Sequence, residues 1–553
     1  MKRKLHFRSV VSLANTKLSV RTAAIVIASS TLVSALLGIF RDRWLNTMYY
    51  DTYPAGLDAY TAAFTVPDFL FFIITSGALA VTFVPVFNQR LVNGNKKSAW
   101  ELSTSTLNFL ALLSFIASIF IMIFADPLVR YVVAPGLNES AMSLAINMMR
   151  VIAINPFLFS ISTVLASMQQ AVGRFIFYSL APALYNVGII TGILVFTNGI
   201  NIFGVQLFEG GIMGVAIGVV FGALLQLATS IIGLVGLGFD YNFKIHWRNQ
   251  GFRKVLKLLP SRSADQGIDY VMSIINTNLA SRMGEQSIRA FQQASSLHSM
   301  PVNLIGVAIS TAFFPRLSEE AGRGDDVKFR GTYRAALSTI ILISMPIAII
   351  AFFTRGYVVN FIKNGGDPKI ASVLGAFIIA IITQSMYHIV ARGFYAKQNA
   401  KVPLIVSVAA FVVQIAAAVL LSMWGFGPEG LAYATSISAV FEVGVLILVQ
   451  NHEGKLLDRE FWRTTLKVII ASSIAGVASW VLTKLLPLRA TDNSFFSTFP
   501  KFFLIAGSSL ILYIVVCWLL KIQEVQPLID KITKVLFRNV KAAPKDKDNS
   551  SED

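Results

Sequence analysis

The sequence predicts an all-α, polytopic membrane protein of about fourteen transmembrane helices, built as two six-helix halves followed by two C-terminal helices. Three observations lead there. Apolar segments long enough to cross a bilayer fill the chain from Arg21 to Leu520 and leave few residues for a water-soluble domain. The composition is 55% hydrophobic and 14% charged, with a mean hydropathy of +0.65, which describes an outer surface that faces lipid. Stretches of the first half also recur, in order, in the second.

An apolar run of roughly 18 to 25 residues matches a helix across the hydrocarbon core, where every backbone polar group must be satisfied within the segment. Met1 to Arg8 is basic and precedes such a run, as in a secretory signal. The stretch 22–40 is nevertheless too long for a signal core, ends at Arg41-Asp42 and is followed by many further spans, so it reads as the first transmembrane helix. The others are expected at 59–87, 104–125, 142–168, 175–197, 211–236, 255–280, 290–314, 335–353, 370–391, 402–424, 429–450, 466–486 and 499–520. The chain then divides into a basic N-terminus (1–21), a first half (22–236), a basic linker (237–257), a second half (258–450), two additional helices (451–520) and a basic tail (521–553). In the tail, Leu528, Ile532, Val535 and Leu536 recur at helical spacing between lysines, which suits a helix lying on the membrane surface, and the last residues have the composition of disorder.

Loops on the side of the N-terminus hold about 21 Lys and Arg against about 11 on the other side, so the positive-inside rule makes both termini cytoplasmic. The net charge of +18 is scattered among these loops and forms no continuous patch, which argues against nucleic acid as a partner. The single cysteine, Cys517, lies in the last apolar segment and offers neither a disulfide nor a cysteine metal site. The longest loop runs about 20 residues, too short for an extramembrane catalytic domain, and no GxxxxGK[ST] phosphate loop is present. No enzymatic activity and no cofactor are expected.

The repeat shows in three places. Gly77-ALAVTFVP-Val86 resembles Val307-AISTAFFP-Arg316 at an offset of about 230 residues. Gln170-AVGRF pairs with Gln398-NAKVP, and Gly211-IMGVA with Gly427-PEGLA. Six-helix repeats of one topology are related by an axis along the membrane normal, and transporters built this way hold their substrate between halves that rock against each other.

Ionisable side chains at membrane depth are costly and mark cavities or pathways. The candidates are Arg41 and Asp42 at the end of span one, Asp58 and Asp68 in span two, Arg150 in span four, Arg262, Asp265 and Asp269 in span seven, and His298 and His388 in spans eight and ten. Arg262, Asp265 and Asp269 recur at three- and four-residue intervals and share a helix face, suited to an internal ion pair or to the wall of a wet cavity. His298 and His388 lack any metal-ligand spacing and read as polar packing. Pro67, Pro156, Pro182, Pro260, Pro301 and Pro403 interrupt the backbone ladder and mark kinks or bending points.

Read in order, a further set of residues resembles the MurJ (MviN) lipid II flippases of the multidrug/oligosaccharidyl-lipid/polysaccharide exporter superfamily. Leu37-Gly38-Ile39-Phe40-Arg41-Asp42 is similar to that family's LGxxR[DE] element and Leu57-Asp58-Ala59-Tyr60 to its DAF element. Gly77-Ala78-Leu79 with Phe83-Val84-Pro85-Val86-Phe87 follows GAL..AFVPVF. Ala134-Pro135-Gly136, Ala181-Pro182 with Asn186, Ile274-Ile275-Asn276 with Leu279-Ala280-Ser281, Gly306-Val307-Ala308-Ile309 with Phe314-Pro315-Arg316-Leu317-Ser318, and Gly393-Phe394-Tyr395-Ala396 with Lys401-Val402-Pro403 complete the series.

The resemblance implies a multi-pass protein of the bacterial cytoplasmic membrane that flips undecaprenyl-pyrophosphate-linked peptidoglycan precursor outward by alternating access during cell-wall synthesis. Its partners would be that lipid-linked precursor, membrane lipids and cell-wall synthesis proteins, and its state a monomer. The pyrophosphate head needs a hydrated cationic cavity, while the polyprenyl tail can stay in a lipid-facing groove to which the two extra helices contribute. Arg41, Asp58, Asp68, Arg262, Asp265, Asp269 and Ser296 are the expected substrate-binding residues. The chain departs from the family at Ala35, Phe71 and Ser296, where the family carries arginines, and at Asp68, where it carries asparagine. Those departures keep two alternatives open: a flippase or exporter of another lipid-linked glycan or amphipathic cargo, and a membrane scaffold of the same fold that does not transport.

Overall fold

The computed structural model describes residues 19–526 apart from 77–82, 203–204, 455 and 490. The basic N-terminus, the amphipathic tail and the first of the repeated motifs at 77–82 therefore lie outside the described residues.

A helix stands at each expected span. They are α1 Val20–Tyr49, α2 Pro54–Thr75, α3 Lys96–Val133, α4 Glu139–Ala171, α5 Ile176–Asn198, α6 Met213–Ile232, α7 Gln250–Ser281, α8 Ser287–Gly322, α9 Asp326–Ile362, α10 Pro368–Ala376 bent by 42° into Ile378–Ala396, α11 Lys401–Met423, α12 Pro428–His452, α13 Arg459–Leu485 and α14 Phe495–Leu519. Twelve are long and apolar enough to cross a membrane, and the bent α10 makes a thirteenth. The expected count of fourteen is thus not reached by apolarity: α7 is a full-length helix, but Arg253, Lys254, Lys257, Arg262, Asp265 and Asp269 make it too polar. The helices also overrun the expected spans. Hydropathy registers only the stretch in hydrocarbon, whereas α3 begins at its cap Asn95, whose side chain accepts from the Ser98 amide, and α9 at Asp325, which accepts from Lys328. The linker expected to run to residue 257 ends early, because Asn249 caps α7 by accepting from the Gly251 and Phe252 amides.

One small departure from an all-α chain occurs in the α5–α6 connection. Strands β1 Ile200–Ile202 and β2 Val205–Phe208 pair antiparallel. Gly199 and Gly210, at φ 86° and 101°, flank them, and a Cβ at Gly210 would stand 2.4 Å from the Thr197 carbonyl oxygen.

The repeat is visible in the backbone. A π-helical turn at Phe72–Ser76, after Pro67, is matched by one at Asn303–Val307, after Pro301, at the offset of the repeated motifs. Packing repeats as well: α5 lies on α6 as α11 lies on α12, α3 on α4 as α9 on α10, and α1 on α5 as α7 on α11. Helices α13 and α14 pack on each other and on α9, whereas the lipid-facing side of α3, the partner of α9 in the repeat, stays bare.

Helices α5 and α6 meet glycine against glycine. A Cβ on Gly188 of α5 would lie 2.2 Å from the Gly222 Cα of α6, and one on Gly218 would lie 2.4 Å from the Gly192 Cα. Small residues four apart on both helices let the backbones touch, which is how helices associate where lipid removes the hydrophobic drive.

Three buried clusters describe the shape. Call the membrane face where α1 begins the N face and the opposite one the far face. Toward the far face one cluster contains residues of both halves, among them Leu45, Tyr50, Leu57, Ile288, Ile362 and Phe377. Toward the N face the core divides: Phe83, Phe87, Leu102, Leu165 and Phe252 form one cluster, and Leu317, Phe329, Tyr333, Leu446 and Phe461 another. The halves share one core at the far face; at the N face the clusters are separate, and α7 packs with the first half through Phe252 and Val255.

Candidate functional site

The polar residues that join the halves gather at the far face. The end of α1 carries Arg41, Asp42 and Arg43 on one turn and Asn46 on the next, because the helix runs unbroken to Tyr49. Arg41 donates from Nε and Nη2 to Asp42 Oδ1 at 3.2 and 3.1 Å, and from Nη1 to Asn186 Oδ1 on α5 at 3.0 Å. Asn186 in turn donates to the Ser34 carbonyl at 3.2 Å, so these contacts tie α1 to α5 inside the first half.

Arg289, in the first turn of α8, crosses to the other half. Its side chain is 5% exposed and meets Asp42 Oδ1 at 3.3 Å through Nη2, while Nε donates to Asn46 Oδ1 at 3.0 Å. Gln293, one turn on, offers its carbonyl oxygen to Nη1 and Nη2 at 3.1 and 2.9 Å when its amide faces the guanidinium. The Arg289 amide donates to Asp58 Oδ1 at 2.8 Å. A buried guanidinium is tolerable only when charge and donors are both answered, and here they are.

Further contacts extend this latch. Asn46 Nδ2 donates to the Ile362 carbonyl at 2.8 Å, Arg43 Nη1 to that of Asn360 at 2.6 Å, and Arg43 Nη2 to that of Asn493 in the α13–α14 turn at 2.8 Å. Tyr50 Oη donates to Asp367 at 2.9 Å, and Lys363 meets Asp51 at 3.1 Å. On the N face Asn249, the cap of α7, joins the first half by binding Arg90, Ser98 and Glu101.

The expected site residues divide accordingly. Arg41 and Asp58 belong to one network, bridged by Asp42 and Arg289. Asp58, 2% exposed, is a contact between the halves and no part of an open wall. Asp68 is half-buried and makes no hydrogen bond or ion pair among the described residues, yet it lies within electrostatic range of Tyr60 and Tyr185, as Arg41 does. It therefore shares the space between α1, α2 and α5. Ser296 stands exposed two turns along α8 from Arg289, its hydroxyl donating back to the Gln292 carbonyl at 3.0 Å. Helix α7 carries Arg262, Asp265 and Asp269, whose side chains lie outside the described residues. Arg150 is exposed at the end of the first helical stretch of α4 and takes no part in the network. His298 is packed as a polar core residue, stacked on Phe377 at 4.5 Å and bonded to Gln384 at 2.9 Å. His388 packs beside Gly306 in the contact between α10 and α8.

Sequence reasoning missed Arg289. Its signal was present: with Gln286, Gln293 and Ser296 it forms a polar stripe at three- and four-residue spacing.

Comparison with known proteins gives a consistent picture. A sequence profile described as lipid II flippase MurJ matches residues 54–499. Among curated relatives, a probable lipid II flippase MurJ of Bdellovibrio bacteriovorus is 26% identical over 463 residues, covering 82% of this chain and 86% of that protein. The lipid II flippase MurJ of Burkholderia cenocepacia is 25% identical over 480 residues, covering 83% and 89%. Among solved structures, a lipid II flippase MurJ in an inward closed conformation superposes with a TM-score of 0.70 at 21% identity, covering 93% of this chain and 99% of that one. An inward-facing multidrug resistance transporter of the MATE family gives 0.63 at 17% identity over 78% of this chain and 98% of its own.

Proposed function

The chain belongs to the lipid II flippase MurJ family, and on that premise we propose that it flips lipid II from the leaflet at its N face to the opposite leaflet by alternating access. The observation that carries the mechanism is the split of the core: one shared cluster and a hydrogen-bonded latch at the far face, two separate clusters at the N face. Halves joined at one end and parted at the other leave a space open to one side of the membrane. The excess of Lys and Arg in the N-face loops makes that side cytoplasmic, with both termini in the cytoplasm.

A polar head group carrying pyrophosphate cannot enter hydrocarbon, so it must travel between the halves, where Arg41 supplies a guanidinium. We assign Arg41, Asp68 and Ser296 to the wall of that path. Asp58 takes a different role, closing the far face by holding the Arg289 amide. The family's arginines are absent at Ala35, Phe71 and Ser296, and Arg289 brings a cation back, two turns from Ser296 and nearer the far face. Opening the far face requires Arg289 to leave Asp42, which frees a guanidinium at the moment the head group arrives while Asp42 stays paired with Arg41. The prenyl tail needs no polar path and stays in lipid beside the bundle.

The test is complementation in bacterial cells depleted of their own flippase, reading lipid II exposed on the outer leaflet. The wild-type chain is expected to restore exposure and Arg41→Ala to reduce it at least about ten-fold, the loss of a charge-assisted contact of roughly 1.4 kcal/mol or more. Normal insertion of the wild-type chain without lipid II exposure would sink the reading.

A further inference from the structure

The connection between α6 and α7 lies along the outside of α3. Tyr241 Oη donates to Asn108 Oδ1 at 3.0 Å, Asn108 Nδ2 donates to the Asn242 carbonyl at 2.9 Å, and the His246 amide donates to Ser105 Oγ at 2.8 Å. The segment thereby answers Ser105 and Asn108, two polar residues of a membrane helix. Phe239 and Ile245 pack inward on the N-face core, while three aromatic side chains turn outward: Phe243 is 88% exposed, Trp247 54% and Tyr241 42%.

Their depth can be read from α3. Before this level the helix exposes Lys96 and Lys97; beyond it the exposed residues are Leu112, Phe115, Ile116 and Ile119. Asn108 to Leu112 is about 6 Å of helix. The three aromatic rings therefore sit where charge gives way to hydrocarbon, the depth at which Tyr and Trp anchor proteins in the interface.

Beside them is a cavity of about 990 Å³ whose lining includes Arg90, Asn93, Asn95, His246, Trp247 and Arg248. Arg90 is oriented through Nη1, which donates to Asn249 Oδ1 at 2.9 Å and to Ser98 Oγ, leaving Nε and Nη2 without a partner among the described residues. Arg248 is exposed and likewise bonds to nothing described. The one carboxylate in the lining, Glu101, accepts from Asn249 Nδ2 at 3.4 Å. Two guanidinium groups with free donors thus face one cavity at the level of lipid head groups.

We propose that this cavity holds the phosphodiester head group of an anionic glycerophospholipid from the N-face leaflet. Arg90 and Arg248 donate to the phosphate, Tyr241, Phe243 and Trp247 lie at glycerol level, and the acyl chains run along the bare side of α3. A planar guanidinium answers two phosphate oxygens at once, and two cations in one cavity favour a head group of net negative charge over the zwitterionic choline and ethanolamine head groups, whose ammonium offsets the same phosphate. The site lies where the 237–249 connection and the start of α7 meet Arg90 and the start of α3, on the N face, and its test does not depend on the cargo.

The full-length chain, purified in a neutral detergent, is titrated with phosphatidylglycerol, with phosphatidylcholine, and with inorganic phosphate, reading retained lipid by native mass spectrometry and the melting temperature. Phosphatidylglycerol is expected to bind and stabilise, the other two not. Arg248→Gln touches no protein group and is expected to leave the melting temperature in detergent unchanged while weakening phosphatidylglycerol binding about five-fold, the share of one cation near a lipid surface. Arg323→Gln, which removes an exposed charge at the end of α8, is the control and should bind as wild type. Three results would overturn the proposal: equal binding of phosphatidylcholine, equal stabilisation by inorganic phosphate, or the same loss in Arg323→Gln as in Arg248→Gln.

Discussion

Where α5 meets α6 the chain has removed side chains altogether, and glycine lies on glycine. Where α1 and α2 meet α8 and α9 it has instead placed a buried guanidinium, two carboxylates and several amides. Both are contacts between membrane helices, but the first lies within one half and the second between halves. Backbone packed on backbone has no second arrangement of similar energy, so such a seam holds a rigid body together. A hydrogen-bonded charge cluster has one: each group can be answered by water or by a phosphorylated head group once the halves part. The difference suggests which interface is built to last and which to open.

Enlarging a seam residue should have the largest effect. Gly218→Leu would drive its side chain into the α5 backbone, since even a Cβ there stands 2.4 Å from Gly192 Cα. Overpacking typically costs about 1–3 kcal/mol where neighbours can give, and here the neighbour is main chain, so loss of folded protein is expected. Monodisperse yield and thermal melting of the purified chain measure it. A variant melting within a few degrees of wild type would remove the distinction between seam and latch.

Arg289→Ala comes next, and its signature differs. Asp42 keeps Arg41 as a partner, so folding should survive, but the contact between halves loses about 2 kcal/mol, roughly a thirty-fold shift toward far-face opening. Distances between spin labels on the α1–α2 and α9–α10 turns should lengthen in the variant. Unchanged distances would mean that the apolar cluster beneath, and not the latch, sets the closed state.

The legibility of these two regions in the sequence was unequal. The apolar spans could be read because each such run exceeds the thickness of hydrocarbon, and the repeat because two proline-bearing segments end alike; the matching π-turns at Phe72–Ser76 and Asn303–Val307 lie at the offset of that resemblance. Arg41 and Asp58 stood out as charges near helix ends. Arg289 did not, since the expected eighth span began at residue 290, and one residue of boundary error turned a buried guanidinium into a loop charge. Helix α8 in fact begins at Ser287. The pairing of Arg289 with Asp42 spans 247 residues of sequence and carries no local signal at all. Helix α7 was expected at 255–280 as one more apolar span, and its charges keep it from counting as one.

Asp58 separates charge from hydrogen bonding within the latch. Asp58→Asn retains an oxygen for the Arg289 amide and should shift the far-face equilibrium by less than about 1 kcal/mol, whereas Asp58→Ala strands a buried amide and costs roughly 1–3 kcal/mol. The same spin-label distances rank the two variants. Equal effects would indicate that the negative charge near Arg289 matters more than the acceptor.

The smallest effect belongs to the rim, where the α13–α14 turn joins the latch through Asn493. Asp492 Oδ2 accepts from the Arg489 amide and from Lys501 Nζ, both at 2.7 Å, and these donors hold its carboxyl below the ordinary aspartate range. Its folded form thus favours the charged state. The stability it contributes is fully present above the unfolded value and is lost as pH falls through the lowered folded value, so melting should be flat in this respect from neutrality down to about pH 4 and fall only below it. Asp492→Asn should flatten that acid limb while shifting the neutral melting temperature little, because a pair near solvent is screened. Its carbonyl accepts from Asn360 Nδ2 at 2.8 Å in either variant, so the turn keeps its attachment to α9. If Asp492→Asn opened the far face at neutral pH as far as Arg289→Ala does, the α13–α14 pair would have to be counted as part of the gate and not as a fixture beside it.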